Sequence, residues 1–123
     1  MLDTLPINAH TTASDALWAG VPVLTCRGES FASRVAASLL RAVGLPQLIV
    51  DDLPSYEALA LELARSPARL AQLRTALAGD RRRLPLFDTD RHRRHLEAAF
   101  VAMHARQQQG LPTAGFDVPP LSP

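Results

Sequence analysis

The stretch HTTASDALWAGVPV, residues 10–23, decides the fold of this chain. Thr11 and Thr12 lie where a helix is predicted to begin, and either hydroxyl makes a good N-cap. Asp15 is expected in the first turn, where the helix dipole favours an acid, and Gly20 is a typical residue to end the helix. The segment therefore predicts a loop, a short helix and the start of a buried strand.

The start of this helix supports two interpretations. Backbone N–H groups at a helix N-terminus lack partners, and two neighbouring hydroxyls would complete an anion site. In the alternative the helix caps itself: Asp15 accepts a hydrogen bond from the N–H of Thr12, and His10 is exposed to solvent. The spacing of these residues is compatible with both.

Composition narrows the class of protein. The chain has 123 residues, enough for one domain, and its 47% hydrophobic and 20% charged residues allow a core to form. Because aromatic residues make up only 5%, the core is expected to consist of Leu, Ala and Val. A net charge of +1 gives no global field that would attract nucleic acid or a membrane.

The single cysteine, Cys26, excludes an intrachain disulfide and a cysteine-rich metal site, and we expect it to be a small core residue in a cytoplasmic protein. We expect no metal site. His92 and His95 share a helix face, but no acid or cysteine completes a ligand set around them. No apolar run reaches the roughly 18 residues that a transmembrane helix needs, and the first residues do not resemble a signal peptide.

Short apolar segments alternate with helical patterns along the rest of the chain. We predict strands over 21–25 and 48–50, and helices over 29–42, 56–65, from Pro67 through Leu77, and from Asp88 to about Gly110. This alternation is typical of half of an α/β sheet. Because two strands this short make a poor sheet alone, we expect the chain to be incomplete, with partner strands elsewhere.

Several side chains carry more specific expectations. One apolar stripe of the second helix is predicted to be buried; it contains Phe31, Val35, Leu39 and Ala42 and is widened by Ala32, Ala36 and Leu40. Trp18 is also predicted to be buried. The three arginines of residues 81–83 are too few for a nucleic-acid site and are read as a solvated, fraying helix end.

Three segments in matching order point to a family. They are LDTLPINAHTTASDALWAGVPVLT (2–25), GESFASRVAAS (28–38) and PLFDTDRHRRHLEAAF (85–100). Together they resemble the C-terminal catalytic region of the O-linked N-acetylglucosamine transferases and their SPINDLY-like relatives. The resemblance implies an α/β fold: a partial Rossmann-like C-terminal lobe of a GT-B glycosyltransferase, helix-rich with short parallel strands. Residues 1–110 would form the second half of this nucleotide-sugar-binding lobe, and residues 111–123 an extended or disordered proline-rich tail.

The resemblance also implies a reaction. A sugar, N-acetylglucosamine carried by UDP, would be transferred with inversion to Ser or Thr hydroxyls of proteins, without a metal or other cofactor. His10, Thr11 and Thr12 would contact the diphosphate and Asp15 the ribose, while Glu29 is a candidate cleft residue. An equally good interpretation is that Glu29 is simply an acidic residue at the start of a helix. No residue of this segment is expected to be catalytic.

The expected partners are a nucleotide sugar, a protein acceptor, and an N-terminal lobe with tetratricopeptide repeats in the same or a separate chain. Neither nucleic acid nor a membrane is expected. Two alternatives stay open. The donor could be GDP-fucose, as in SPINDLY-like relatives, or the chain could be a non-catalytic gene fragment or docking module.

Overall fold

The computed structural model describes residues 1–120 and divides into two compact units, Met1–Leu86 and the segment from Phe87 onward. The assignment of residues 1–110 to one lobe stays a prediction. The first unit holds α1 (Thr11–Trp18), β1 (Thr25–Cys26), α2 (Val35–Ala42), β2 (Ile49–Val50), α3 (Leu53–Arg65) and α4 (Pro67–Ala78). It also has 3₁₀ turns at Phe31–Ser33, Pro46–Leu48 and Arg81–Arg83, and the second unit holds α5 (Thr89–Gln108).

The sheet is parallel and very short. β1 pairs with β2 in the register Thr25 to Ile49 and Cys26 to Val50, and Leu2 forms a parallel bridge with Leu24 on the other side of β1. The prediction of two short parallel strands is confirmed, but the first strand begins later than expected. β1 is buried as predicted, whereas β2 is only half-buried.

The late start of β1 has a local cause. The N–H of Val21 donates to the carbonyl of Ala16 at 2.8 Å, which closes the turn after α1. Pro22 has no N–H to give to a ladder. Strand pairing therefore begins only at Leu24, whose N–H donates to the carbonyl of Met1 at 3.0 Å.

The predicted helix over 29–42 is wrong in its first turn. The chain forms the 3₁₀ turn Phe31–Ser33, breaks at Arg34 (φ −122°, ψ −9°) and then forms α2. The predicted apolar stripe is buried only in part. Ala36 and Leu40 are buried as predicted, together with Ala37, whereas Phe31 is 82% exposed.

Of the predicted caps of α3, α4 and α5, the last two are confirmed and the first is wrong. Ser66 caps α4 by accepting from the N–H of Arg69, and Asp88 caps α5 by accepting from the N–H of Arg91 at 2.9 Å, both as predicted. α3 begins three residues earlier than predicted because Asp52, rather than Ser55, is its N-cap.

The arginines of residues 81–83 form a 3₁₀ turn with Asp80 as its N-cap, rather than a fraying helix end. This turn keeps the three side chains at least partly exposed.

The core of the first unit contains no aromatic side chain. Its largest fully buried apolar side chains are Leu17, Leu40, Leu48, Leu77 and Val23. The expectation of a Leu, Ala and Val core is confirmed, as is the burial of Cys26. The burial of Trp18 is wrong. α1 turns Ala13 and Leu17 inward, and the next position along the helix leaves Trp18 46% exposed.

The second unit is a long helix followed by an irregular tail. No residue of α5 is buried, and Phe100 is 63% exposed. Residues 111–120 contain neither helix nor strand, and the predicted tail's last three residues, 121–123, lie outside the described residues. No helix within residues 1–120 is long and apolar enough to cross a bilayer.

Candidate functional site

The amino-terminal end of α1 is open. The helix begins at Thr11 with His10 as its N-cap, so the prediction of a threonine N-cap is wrong. The N–H of Ser14 donates to the carbonyl of His10 at 3.1 Å, which is the first bond of the helix. The N–H groups of Thr11 and Thr12 therefore have no acceptor within the described residues.

The side chains of Thr11, Thr12 and Asp15 also have no hydrogen-bond partner within the described residues. Thr11 and Thr12 are exposed, and neither hydroxyl makes a hydrogen bond among residues 1–120. Asp15 lies beyond the first turn, contrary to prediction. Its exposed carboxylate makes no hydrogen bond or ion pair in the described part of the chain. The contact that the self-capped alternative requires is thus not formed.

Thr11, Thr12 and Asp15 lie close together on the helix surface. Residues three and four apart on an α-helix share a face, and Asp15 is three residues from Thr12 and four from Thr11. Two hydroxyl donors, unpaired N–H groups and one carboxylate acceptor therefore occupy the same exposed surface. Such a set can bind an anion at the helix end and hydroxyl groups one turn further on.

His10 lies against the 3₁₀ turn Phe31–Ser33. Its Nε2 atom is 3.5 Å from the carbonyl oxygen of Ala32, and its ring meets that of Phe31 edge to face with centroids 6.2 Å apart. The N–H of Asn8 donates to the same carbonyl at 2.9 Å. The second sequence motif therefore supports the loop that leads into α1.

Glu29 lies in a pocket that does not include the start of α1. It is exposed and lines an open pocket of about 630 Å³ at the carboxyl end of β1. The other lining residues are Leu5, Pro6, Cys26, Arg27, Gly28, Ser30, Ser33 and Leu53. The diphosphate and ribose candidates His10, Thr11, Thr12 and Asp15 do not line it. Glu29 precedes the 3₁₀ turn and is not in a helix, so its reading as a helix-start acid is wrong.

Sequence reasoning missed two features of this pocket. Arg27 forms an ion pair with Asp51 at 2.8 Å, which joins the segments that follow the two strands. A Cβ on Gly28 would lie 2.4 Å from the Oγ of Ser33, so only glycine fits there without a shift. The position of both residues directly after a buried strand was the available signal, because parallel strands place their carboxyl ends at one edge.

The free cysteine is not activated, and the described residues hold no metal-ligand cluster. Burial, followed by the nearby carboxylates of Asp52 and Asp51, raises the pKa of the Cys26 thiol, which disfavours its reactive thiolate. No group of three or more His, Cys, Asp or Glu side chains within residues 1–120 could hold a metal ion. What the surface can do is bind, through the hydrogen-bonding groups at the start of α1.

Comparison with known proteins identifies the class. The short parallel sheet with helices packed on it fits part of an α/β lobe of the GT-B type, the fold of the matching solved structure. The sequence profile of glycosyl transferase family 41 matches residues 1–96. This chain therefore belongs to glycosyl transferase family 41, and the predicted family and fold class are confirmed.

Several relatives and one solved structure show how much of such a protein the chain spans. It is 43% identical over 113 residues to the Arabidopsis thaliana protein named probable UDP-N-acetylglucosamine–peptide N-acetylglucosaminyltransferase SEC, covering 89% of this chain and 12% of that protein. It is 37% identical to the Caenorhabditis elegans UDP-N-acetylglucosamine–peptide N-acetylglucosaminyltransferase, covering 90% of this chain and 10% of the relative. A mutant O-GlcNAc transferase of Thermobaculum terrenum superposes with a TM-score of 0.60 at 39% identity, over 76% of this chain and 19% of that structure. The chain thus corresponds to a small part of these relatives.

Proposed function

We propose that this chain is part of a glycosyltransferase that moves N-acetylglucosamine from UDP to Ser or Thr hydroxyls of proteins, and that it supplies the diphosphate and ribose contacts. One observation carries the proposal. The start of α1 presents two exposed hydroxyls and unpaired N–H groups together, in a family whose relatives are named for UDP-N-acetylglucosamine. The protein acceptor and the remaining lobe are proposed as partners, and the cytoplasm as the location.

The chemistry fits a binding role for this end of the helix. In the transfer, the bond between the anomeric carbon and the diphosphate oxygen breaks while the acceptor hydroxyl oxygen bonds to that carbon and loses its proton. Negative charge grows on the departing diphosphate. The positive end of the α1 dipole, the N–H groups of Thr11 and Thr12 and their hydroxyls would stabilise this charge without a metal ion. His10 would contribute a further donor beside them.

Asp15 is proposed to accept hydrogen bonds from the ribose hydroxyls. A carboxylate repels a neighbouring diphosphate. Because Asp15 lies one turn further along α1, we propose that it contacts a different part of the ligand. Carboxylates accept from ribose hydroxyls in dinucleotide-binding folds. Glu29, in its separate pocket, is proposed as a cleft residue that approaches the donor from the side of β1.

A binding experiment tests the proposal directly. We expect calorimetric titration with UDP to show weak binding by the wild-type chain, and Thr12→Ala to raise Kd about tenfold, because a hydrogen bond to a charged oxygen is lost. Thr75→Ala is the matched control, since that exposed hydroxyl donates to the carbonyl of Ala71 on α4. Equal Kd values for wild type and Thr12→Ala would contradict the site.

Two alternatives are outcomes of further titrations. The proposed contacts are to groups that UDP and GDP share, so we expect similar Kd values for the two nucleotides. A clear preference for GDP would favour a GDP-fucose donor. Since the chain spans only 12% of the relative named SEC, we expect no sugar transfer by the 123 residues alone. Binding without turnover is therefore compatible with the proposal, whereas a chain that binds neither nucleotide would favour the non-catalytic fragment.

A further inference from the structure

A buried carboxylate lies behind the open helix end. Asp3 is only 6% exposed and follows the bridge between Leu2 and Leu24. Its Oδ1 accepts hydrogen bonds from the N–H of Thr4 at 2.9 Å and from the N–H of Ala9 at 2.7 Å. Its Oδ2 accepts from the hydroxyl of Thr25 at 2.6 Å.

These bonds close the loop of residues 4–9 at both ends. Thr4 and Ala9 are the first and last residues of the loop, and a single oxygen of Asp3 holds both. Within the loop, Nδ2 of Asn8 donates to the carbonyl of Thr4 at 3.2 Å. Through Thr25, the same carboxylate joins the loop to β1.

Ala9 is the residue next to His10, the N-cap of α1. Any movement of the Ala9 backbone therefore changes the direction of the first turn of α1. Asp3 forms no ion pair within the described residues, so hydrogen bonds alone compensate its buried charge. A carboxylate near an anion site still repels the anion, so its presence there calls for a positive contribution such as holding the loop.

We propose that Asp3 is a positioning residue of the diphosphate site: its carboxylate holds Ala9 against β1 and so fixes His10 and the N–H groups of Thr11 and Thr12. The expected effect of Asp3 on UDP binding rests on the proposed function. The positioning itself is a property of the unliganded chain. Asp3 touches no ligand and takes no part in the transfer.

The first measurement is made without ligand. We expect Asp3→Ala to speed hydrogen exchange of the Ala9 amide about tenfold or more, because its acceptor is removed, and to shift the amide resonances of Thr11 and Thr12. Leu77→Ala is the matched control. It removes a fully buried side chain of α4, which lies outside residues 4–9, and lowers stability. Unchanged Ala9 exchange in a folded Asp3→Ala chain overturns the proposal.

The second measurement is the Kd for UDP at a temperature where all variants are folded. We expect Asp3→Ala to raise Kd about tenfold, Leu77→Ala to leave it unchanged, and Asp3→Asn to restore binding. The asparagine oxygen can still accept from Thr4 and Ala9, and its NH₂ can donate to Thr25. Equal losses for Asp3→Ala and Leu77→Ala would show a purely structural role and overturn the proposal.

Two further outcomes of these experiments would change how the role of Asp3 is tested. If wild type binds no UDP, the proposed function fails, and amide exchange alone decides the role of Asp3. If Asp3→Ala does not fold, Thr25→Val replaces it, because this nearly isosteric change frees Oδ2 and loosens the carboxylate. We then expect faster exchange at Ala9 than in Leu77→Ala, and exchange at the wild-type rate would overturn the proposal.

Discussion

A single methyl group added at Gly28 would disturb the pocket at the carboxyl end of β1. A Cβ there would lie 2.4 Å from Oγ and 2.7 Å from Cβ of Ser33. Ser33 cannot easily retreat, because it is only 5% exposed and its hydroxyl donates to the carbonyl of Ser30 at 3.0 Å. The requirement for glycine is therefore steric.

We expect Gly28→Ala to lower the free energy of unfolding by about 1–3 kcal/mol, as overpacking of a tight site does. Gly79→Ala is the control, since a Cβ at Gly79 meets no atom within 4 Å. Urea titrations followed by circular dichroism measure both. A Gly28→Ala variant as stable as Gly79→Ala would contradict the steric argument.

Asp15 can be separated from the threonines by the choice of ligand. Inorganic pyrophosphate carries the diphosphate charge but no ribose. We expect Asp15→Asn to weaken binding of UDP several-fold, about 1 kcal/mol for one lost hydrogen-bond acceptor, and to leave pyrophosphate binding unchanged or slightly tighter. A variant that weakens both ligands equally, or neither, would show that Asp15 has no role at the ribose.

At the scale of elements, local cap signals were read only in part. Ser66 and Asp88 cap their helices by bonds to residues three positions later, as predicted. Asp52 caps α3 in the same way, but the sequence reading assigned that cap to Ser55.

The turn before α2 was missed because its contacts are tertiary. The carbonyl of Ala32 accepts from the N–H of Asn8 in the loop before α1, a contact that no local pattern encodes. The predicted stripe was correct at Ala36 and Leu40 and wrong at Phe31.

The cap of α3 predicts a pH dependence. Hydrogen bonds from the backbone N–H and then the hydroxyl of Ser55 hold the pKa of Asp52 below its ordinary value. The ionised carboxylate therefore stabilises the fold above the ordinary pKa of an aspartate, and this contribution is lost as pH falls through the lowered pKa. Thermal unfolding should show a smaller loss of stability on acidification in Asp52→Asn, which keeps a capping oxygen but does not titrate.

Ser55→Ala supplies the control for this prediction. It removes the hydroxyl donor but leaves the backbone N–H, so the dependence on Asp52 should shrink without disappearing. If Asp52→Asn and wild type lose stability in parallel between neutral and acidic pH, the cap does not carry the effect.

For the whole molecule, the core lies in the first unit. The residues that are buried most completely all fall between Asp3 and Leu77, and none belongs to α5. Folding of residues 1–86 should therefore need nothing from the rest of the chain. The second unit has only exposed or half-exposed side chains within its described residues.

We expect a chain that ends at Leu86 to unfold cooperatively, with a midpoint close to that of all 123 residues. A chain that ends at Ser66 is the control, because it lacks α4 and the buried Leu73 and Leu77. It should lose the cooperative transition. Thermal denaturation followed by circular dichroism decides between them, and a 1–86 chain without a transition would contradict the division.

Much of the candidate site was visible in the sequence, and the rest was not for a physical reason. The threonine pair could be found because hydroxyls at the start of an apolar helical pattern are a local signal, although they lie in the first turn of α1 and not before it. Asp3 does not, because its partners Ala9 and Thr25 come together only when the strands pair. A buried acid near the start of a chain looks in the sequence like any polar loop residue.

The half-exposed Trp18 determines what tryptophan fluorescence can report about this chain. It is the only tryptophan in 123 residues, and at 46% exposure its indole already contacts water in the native state. Unfolding should then change its emission wavelength little, and fluorescence would report the loss of this fold poorly. The same indole ends the helix whose other end is the candidate site, so quenching by a small solute such as acrylamide becomes a label-free probe of α1 itself.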